Sequence, residues 1–440
     1  MDILIKIAQL FLCFTILVGI HELGHFLMAR AFKIRVEKFY IFFDPWFSLF
    51  KFKRGDTEYG LGWLPLGGYV KIAGMIDESM DKEQMKQPVK PDEFRAKPAW
   101  QRLLVMVAGV MMNVLLAIVI YCAVCYTWGD SYFSNQDAKW GYNFNPTAHE
   151  MGFRDGDRFV SIDGEEIDNV MRVQNDLLIT AGGRRVIVER GGEPVTLDIP
   201  FESLLRMRQE KAYEDLFTLR LPFIVDSVSY TSAVEAGLES GDEVVAIDDL
   251  RDADYPRYRD YLQKHKNDKV LLTVRRDGAL IDSLALPVDA EGRIGVTVTN
   301  PYSLRTQYYT FWESIPAGIH KAGKTISSYW DQLKLIVQPK TKMYEELGGF
   351  VAIGSIFPSS WDWHDFWLKT AFLSIILAVM NLLPIPGLDG GHALFTLWEI
   401  ITRRKPSEKF LEVAQYVGLM IILALLVYAN GNDIYRFFIK

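Results

Sequence analysis

Four long apolar runs, 7–29, 103–127, 370–388 and 413–429, limit what this chain can fold into more than any other feature. Each approaches the roughly 20 residues a helix needs to cross the hydrocarbon core of a bilayer. The sequence between them is charged and ordinary, whereas a soluble protein would spread its apolar residues through amphipathic elements. The expected class is therefore a polytopic α-helical membrane protein with four transmembrane helices. The first run passes into basic sequence without a small-residue cleavage site, so it reads as a retained anchor and not a secretory signal.

The charges beside the spans give an orientation. Arg30, Lys33, Arg35 and Lys38 follow the first run, Lys97 and Arg102 precede the second, and Arg403, Arg404, Lys405 and Lys409 separate the third from the fourth. By the positive-inside rule both loops face the cytoplasm, which leaves the segment 130–365 and both termini outside. The net charge is −7 over 440 residues, and no basic patch points to nucleic acid. Cys13, Cys122 and Cys125 all fall inside apolar runs, where small buried thiols are expected.

Inside the first run lies His21-Glu22-Leu23-Gly24-His25. On a helix the two histidines are four positions apart and project from one face, close enough to share a cation, with Glu22 placed to act on water at the metal. Two histidines do not complete a catalytic zinc site, which uses three protein ligands and keeps a fourth position for water. The candidate for the third is in Asn381-Leu382-Leu383-Pro384-Ile385-Pro386-Gly387-Leu388-Asp389-Gly390-Gly391-His392. Pro384 and Pro386 remove backbone donors, so the third span should unwind before Asp389 and aim its carboxylate inward. Asp389 as a turn or cap residue, and His392 as the competing ligand, are the alternatives. An ionised side chain in a span costs at least about 2.5 kcal/mol on insertion scales, and a shared cation would offset that for Glu22 and Asp389.

The outside segment contains a repeat. Gly152 to Asp163 aligns with Gly237 to Asp248, each a Gly-Asp turn, an alternating strand and an Ile-Asp turn. Matching strands follow at 186–189 and 271–275. The pattern resembles two tandem PDZ domains, mixed α/β folds that bind extended peptides at a sheet edge. Peptide binding and size-excluding bulk are both open for them. Next, Ile315, Ile319, Ile326, Trp330, Leu333 and Val337 recur at helical spacing. That amphipathic helix is expected either along the membrane surface or packed on the repeats. The loop after the first span, Tyr59 to Ile72, is apolar and rich in glycine, which suits a β-hairpin or re-entrant loop whose free edge could template a substrate.

Taken together, the HELGH element, the Leu388-Asp389-Gly390 motif after Asn381, the tandem PDZ-like insertion and the four-span layout resemble the site-2 protease family of intramembrane zinc metalloproteases. The resemblance implies Zn2+ held by His21, His25 and Asp389, with Glu22 as the general base. It implies substrate contacts from Asn381, from Asn113 in a Gly-x-x-x-Asn element, and from a membrane-associated β-loop carrying Gly60, Gly62, Gly67 and Gly68. Val110 and Phe350 stand where relatives tend to carry proline. The implied partners are single-span membrane proteins, either anti-sigma factor-like or signal-peptide remnants, together with a possible peptide for the PDZ units and the lipid bilayer. The implied location is the bacterial inner membrane, multi-pass, with the PDZ units in the periplasm.

The expected divisions are a first span at 1–30, a cytoplasmic loop with the β-hairpin at 31–99 and a second span at 100–128. PDZ-like units follow at 140–215 and 220–300, then an amphipathic region at 302–365, a third span at 366–400 and a fourth at 410–432. Rival readings are a catalytically silent PDZ scaffold and a metal transporter. A silent relative should have lost Glu22 or a ligand, and a transporter should carry ionisable groups spread across the bilayer.

Overall fold

The computed structural model describes residues 2–64, 67–75, 88–180, 182–213 and 215–439, excluding the side chains of 408, 438 and 439. The chain forms two compact units, one made of Met1–Asp130 with Tyr308–Lys440, the other of Ser131–Gln307. Among the described residues, four helices are long and apolar enough to cross a membrane.

In the first unit, helix α1 (Asp2–Ala31) buries Gln9, Cys13, Leu17, His21, Gly24 and His25. These recur every three to four residues and form one stripe. Apart from Leu17 the stripe is polar or small, while Ile3, Leu4, Ile7 and Phe11 point outward. That inversion suits a lipid-facing helix, since lipid is as apolar as leucine and association is driven by close packing and polar contacts. Helix α2 (Ala99–Trp128) packs on α1 where a Cβ at Gly24 would lie 2.5 Å from the Ala108 carbonyl oxygen.

Between them the chain builds a four-stranded sheet, not the hairpin expected from the glycine-rich stretch alone. Its strands are β1 (Val36–Ile41), β2 (Phe43–Arg54), β3 (Thr57–Leu64) and β4 (Tyr69–Ile72), in the order β2-β3-β1-β4. β1 lies parallel to β3 and antiparallel to β4. The sequence of β1 and β2 mixes Lys, Asp and Glu with aromatic residues, which hides their pairing from a hydropathy reading. Aromatic and β-branched residues favour the pleated surface all the same. Partly buried polar contacts link strands in pairs: Tyr40 of β1 donates to Glu58 of β3 at 2.7 Å, and Tyr69 of β4 donates to Asp44 of β2 at 2.9 Å, while Ser48 donates to Asp44 within β2 at 3.0 Å. Pro65 and Leu66, part of the expected β-loop, lie outside the described residues.

Helix α3 (Phe311–Val337) begins at a capping box of Thr310 and Glu313. It buries Ser314, Gly318 and Ala322, while Ile319, Trp330 and Val337 are exposed. The helix therefore packs its small face on α2, where a Cβ at Gly318 would meet the Cys122 sulfur at 2.5 Å. Of the bulky residues on the expected face, Ile326 and Leu333 pack against the same core, while Ile319, Trp330 and Val337 point outward. Small residues let the two backbones approach, which the apolar spacing does not reveal. A short helix α4 (Phe350–Ser355) follows, its first amides capped by Asn430 and Asp433.

The third span is helix α5 (Trp363–Leu382), which ends earlier than the expected boundary at 400. Leu383 to Leu388 is non-helical, and Gly387 takes a left-handed φ of 98°. Helix α6 (Asp389–Thr402) then starts, followed by the fourth span, helix α7 (Glu408–Ile434). Irregular backbone in a spanning region is tolerated where protein covers it. Here α7 covers it so closely that a Cβ at Gly418 would lie 1.4 Å from the Pro386 carbonyl oxygen.

The second unit carries the repeat as two equivalent sheets with separate cores, one around Phe159, Val186 and Val188, the other around Val244, Val270 and Leu272. Strand Arg158–Ile162 pairs with Arg184–Arg190 as Glu243–Ile247 pairs with Lys269–Arg276, and the register shifts at equivalent points, between Phe159 and Ser161 and between Val244 and Ala246. The Gly-Asp turns hold matching ion pairs. Arg190 grips Asp157 with two hydrogen bonds of 2.7 Å, and Arg276 grips Asp242 at 2.6 and 2.7 Å. Asp163 and Asp248 adopt the same left-handed turn, with φ of 51° and 50°.

Candidate metal centre

His21 and His25 stand one turn apart on α1, each 7% exposed, with their Nε2 atoms 3.2 Å from one another. α2 fixes the rings from behind. His25 Nδ1 lies 2.8 Å from the Val105 carbonyl oxygen, so Nδ1 carries the proton and Nε2 presents a lone pair. His21 Nδ1 lies 3.2 Å from the Asn113 amide, whose Oδ1 is otherwise buried without a partner. Turning that amide over lets Oδ1 accept the Nδ1 proton and frees the His21 Nε2 lone pair as well.

Asp389 comes from the other end of the chain. The proline-interrupted segment ends α5, and Gly390 and Gly391 let α6 begin against it, since a Cβ at either would come within 2.5 Å of the carbonyl oxygens of Leu383 and Ile385. Asp389 is the first residue of α6, where the helix dipole favours a carboxylate. Its Oδ2 lies 3.1 Å from His21 Nε2 and 3.3 Å from His25 Nε2, and has no hydrogen-bond partner. The turn position and the inward aim thus coexist. Among the described residues, these three form a group able to hold a metal, and His392 is not part of it.

The three atoms repel one another unless a cation joins them. Four ligands at about 2.0–2.1 Å around zinc are separated by about 3.3 Å, which matches the observed spacing. Two imidazoles and a carboxylate are also an accepted donor set for zinc that leaves one position open. Glu22 follows His21 on α1, and its carboxylate accepts a hydrogen bond from the Val70 main chain of β4. β4 is the sheet edge on this side, and a Cβ at Gly68 would meet Val18 at 2.8 Å and Glu22 at 3.4 Å.

The remaining expected residues divide. Asn381, in the last turn of α5, is partly buried and places its amide 3.3 Å from His21 Nε2. Asn113 is 0% exposed, holds His21 from behind and accepts a hydrogen bond from Ser374 on its carbonyl. That position gives Asn113 a contact with His21, beside the substrate contact expected of it. Gly60 and Gly62 also have a packing role inside the sheet. They sit in the inner strand β3, where a Cβ would strike the Tyr40 ring at 2.2 Å and the Phe43 carbonyl oxygen at 2.1 Å, so the sheet itself requires them. Gly67 packs on the Phe43 ring, and only Gly68 adjoins Glu22.

Gly109, which opens the Gly-x-x-x-Asn element, carries a role that the sequence reading did not assign. A Cβ at Gly109 would lie 2.5 Å from His25 Nε2 and 2.7 Å from His21 Cε1, so α2 offers the two rings a cradle that only glycine leaves open. Its four-residue spacing from Asn113 was the available signal, since both project from one face of α2.

A model of peptidase family M50 matches residues 9–425. Over 426 residues the chain is 29% identical to a Clostridium perfringens protein bearing a zinc-metalloprotease name, covering 96% of each. It is 27% identical over 460 residues to the regulator of sigma E protease of Haemophilus influenzae, covering 99% of this chain and 100% of that one. A Vibrio cholerae protein, also bearing a zinc-metalloprotease name, is 29% identical over 461 residues, 99% of each chain.

Proposed function

The chain belongs to peptidase family M50, the site-2 proteases, and from that premise we propose how its residues divide the work of an intramembrane zinc metalloprotease. His21, His25 and Asp389 are the zinc ligands, and Glu22 is the general base. The observation that carries this reading is the convergence of three lone-pair atoms at 3.1–3.3 Å with a carboxylate beside them on the same helix. A zinc ion held there would supply Lewis acidity, lowering the pKa of bound water toward about 7 and polarising a peptide carbonyl. Glu22 takes the proton from the attacking water and returns it to the leaving amine, so one carboxylate serves as base and then acid. Val70 orients Glu22 through its main chain. Asn381 hydrogen-bonds the substrate backbone on the open side of the centre.

The substrate is another membrane-spanning chain. A peptide bond within an intact helix is hydrogen-bonded and shielded, so the substrate must unwind locally before attack. The free edge of β4 can pair with the extended stretch, as sheet edges do with peptides. Single-span remnants of the anti-sigma-factor or signal-peptide class fit this requirement. The two repeats are PDZ domains on the periplasmic side of the bacterial inner membrane, and they restrict entry to chains already stripped of bulky exterior domains. A silent scaffold would have no use for Glu22 beside an intact ligand set.

The test uses purified protein and its Glu22→Gln variant with a single-span model substrate. Glu22→Gln should bind zinc as the parent does and lose cleavage by at least about 100-fold, the scale of a positioned acid–base group. Parental activity should disappear with a chelator and return with zinc. Equal cleavage by both proteins would refute the mechanism.

A further inference from the structure

Arg102 and Glu399 form an ion pair of 2.6 Å in which each side chain is only 12% exposed. Arg102 is in the first turn of α2 and is fixed on two more sides. Its Nε donates to the Lys97 carbonyl oxygen at 3.1 Å, and its guanidinium lies 6.0 Å from the Phe94 ring centroid. Glu399 is in the C-terminal half of α6, the helix that Asp389 begins.

We propose that the Arg102–Glu399 pair positions Asp389 against His21 and His25 by fixing the tilt and rotation of α6 on α2. The inference rests on the reading of Asp389 as the third zinc ligand. α2 is the common frame of the site, because Val105 and Asn113 hold the two imidazoles and Arg102 lies one turn before Val105. Asp389 reaches this frame from a non-helical segment that α7 covers at Gly418, and the tilt of the rest of α6 is left to the contacts further along that helix. Along α6 the buried residues Ala393 and Thr396 share the face of Asp389, and Ala393 packs in one core with Val105 and Met106. Such small apolar contacts are non-directional and permit sliding.

A planar guanidinium pairing with a carboxylate specifies direction. Glu399 is ten residues beyond Asp389, about 15 Å along the helix. Over that arm, a pivot of about 4° displaces Asp389 by about 1 Å, enough to cost about 100-fold in a reaction that depends on placement. Burying both charges carries a desolvation penalty that limits what the pair adds to stability, so specification of geometry accounts for it better than strength does. Arg102 also reads as a flanking charge that sets topology. The two roles differ in what they demand of Glu399.

The experiment compares Arg102→Lys, Arg102→Gln, Glu399→Gln and the double Gln variant with the parent. Zinc affinity is measured by competition with a chromogenic chelator, melting of the zinc-free protein in detergent is followed alongside, and kcat and KM are measured on a single-span substrate. Arg102→Gln and Glu399→Gln should each weaken zinc binding by about 10-fold or more, the range for groups that orient ligands. The double variant should be no worse than either single, because one contact is lost in all three. Arg102→Lys should retain part of the affinity, and kcat should fall more than KM rises. Parental zinc affinity in Glu399→Gln would overturn the proposal whatever happens to melting, as would a loss confined to the Arg102 variants. A parent that binds no zinc would instead refute the ligand assignment itself.

Discussion

Gly109 shows how narrowly the site is drawn at the scale of single residues. α2 must come close enough to accept His25 Nδ1 on Val105, and at that distance a methyl group on residue 109 would overlap both imidazoles. Gly109→Ala should therefore displace the rings and reduce cleavage by at least about 10-fold, since misplacement near 1 Å costs about 100-fold. Zinc affinity should fall with it, and chelator competition checks the second effect separately from turnover. Parental affinity and rate would show that the rings tolerate the methyl group. The motif at His21 to His25 and the carboxylate at Asp389 were legible because their residue types are costly in a span and need a reason to be there. Asn113, expected to contact substrate, packs against His21. Its amide could serve a strand or a ring, and only folding shows that it lies against His21.

Among the elements, the broken stretch between α5 and α6 is the one whose shape the local sequence dictates most directly. Pro384 and Pro386 supply no amide protons, and Gly387 accepts a left-handed turn that other residues resist. What holds the break in place comes from elsewhere. α7 presses its backbone onto the Pro386 carbonyl at Gly418, and no pattern in the fourth apolar run marks that glycine as a contact. Gly418→Val should push the two segments apart, destabilise the protein by about 1–3 kcal/mol as overpacking does, and reduce cleavage. Thermal melting in detergent together with the cleavage rate would check it, and a neutral result would show that α7 can withdraw freely. The sheet of β1 to β4 shows the opposite limit. Its glycines suggested a single substrate-binding loop, but two of them are consumed by packing inside β3, and the edge nearest Glu22 is β4.

At the scale of the whole molecule, the two compact units answer to different physics, lipid-facing packing in one and two conventional cores in the other. If residues 131–307 restrict entry, a chain lacking them should cleave an intact substrate with a large exterior domain at least about 10-fold faster, while its rate on a trimmed single-span substrate stays within about 2-fold, an entry effect that appears in kcat/KM. Equal discrimination by the parent and the deletion would end the entry role. The sequence by itself determined the four spans, the metal-binding character of the first and the two-fold repeat. Each of these is written in local periodicity or in residue types whose burial needs compensation. Tertiary structure alone decided that Asp389 and not His392 meets His21 and His25, that the small face of α3 is the one that packs, and that Arg102 reaches Glu399. Those outcomes depend on which helix backbones can approach most closely, and that is set by glycines, alanines and serines on surfaces brought together only by folding.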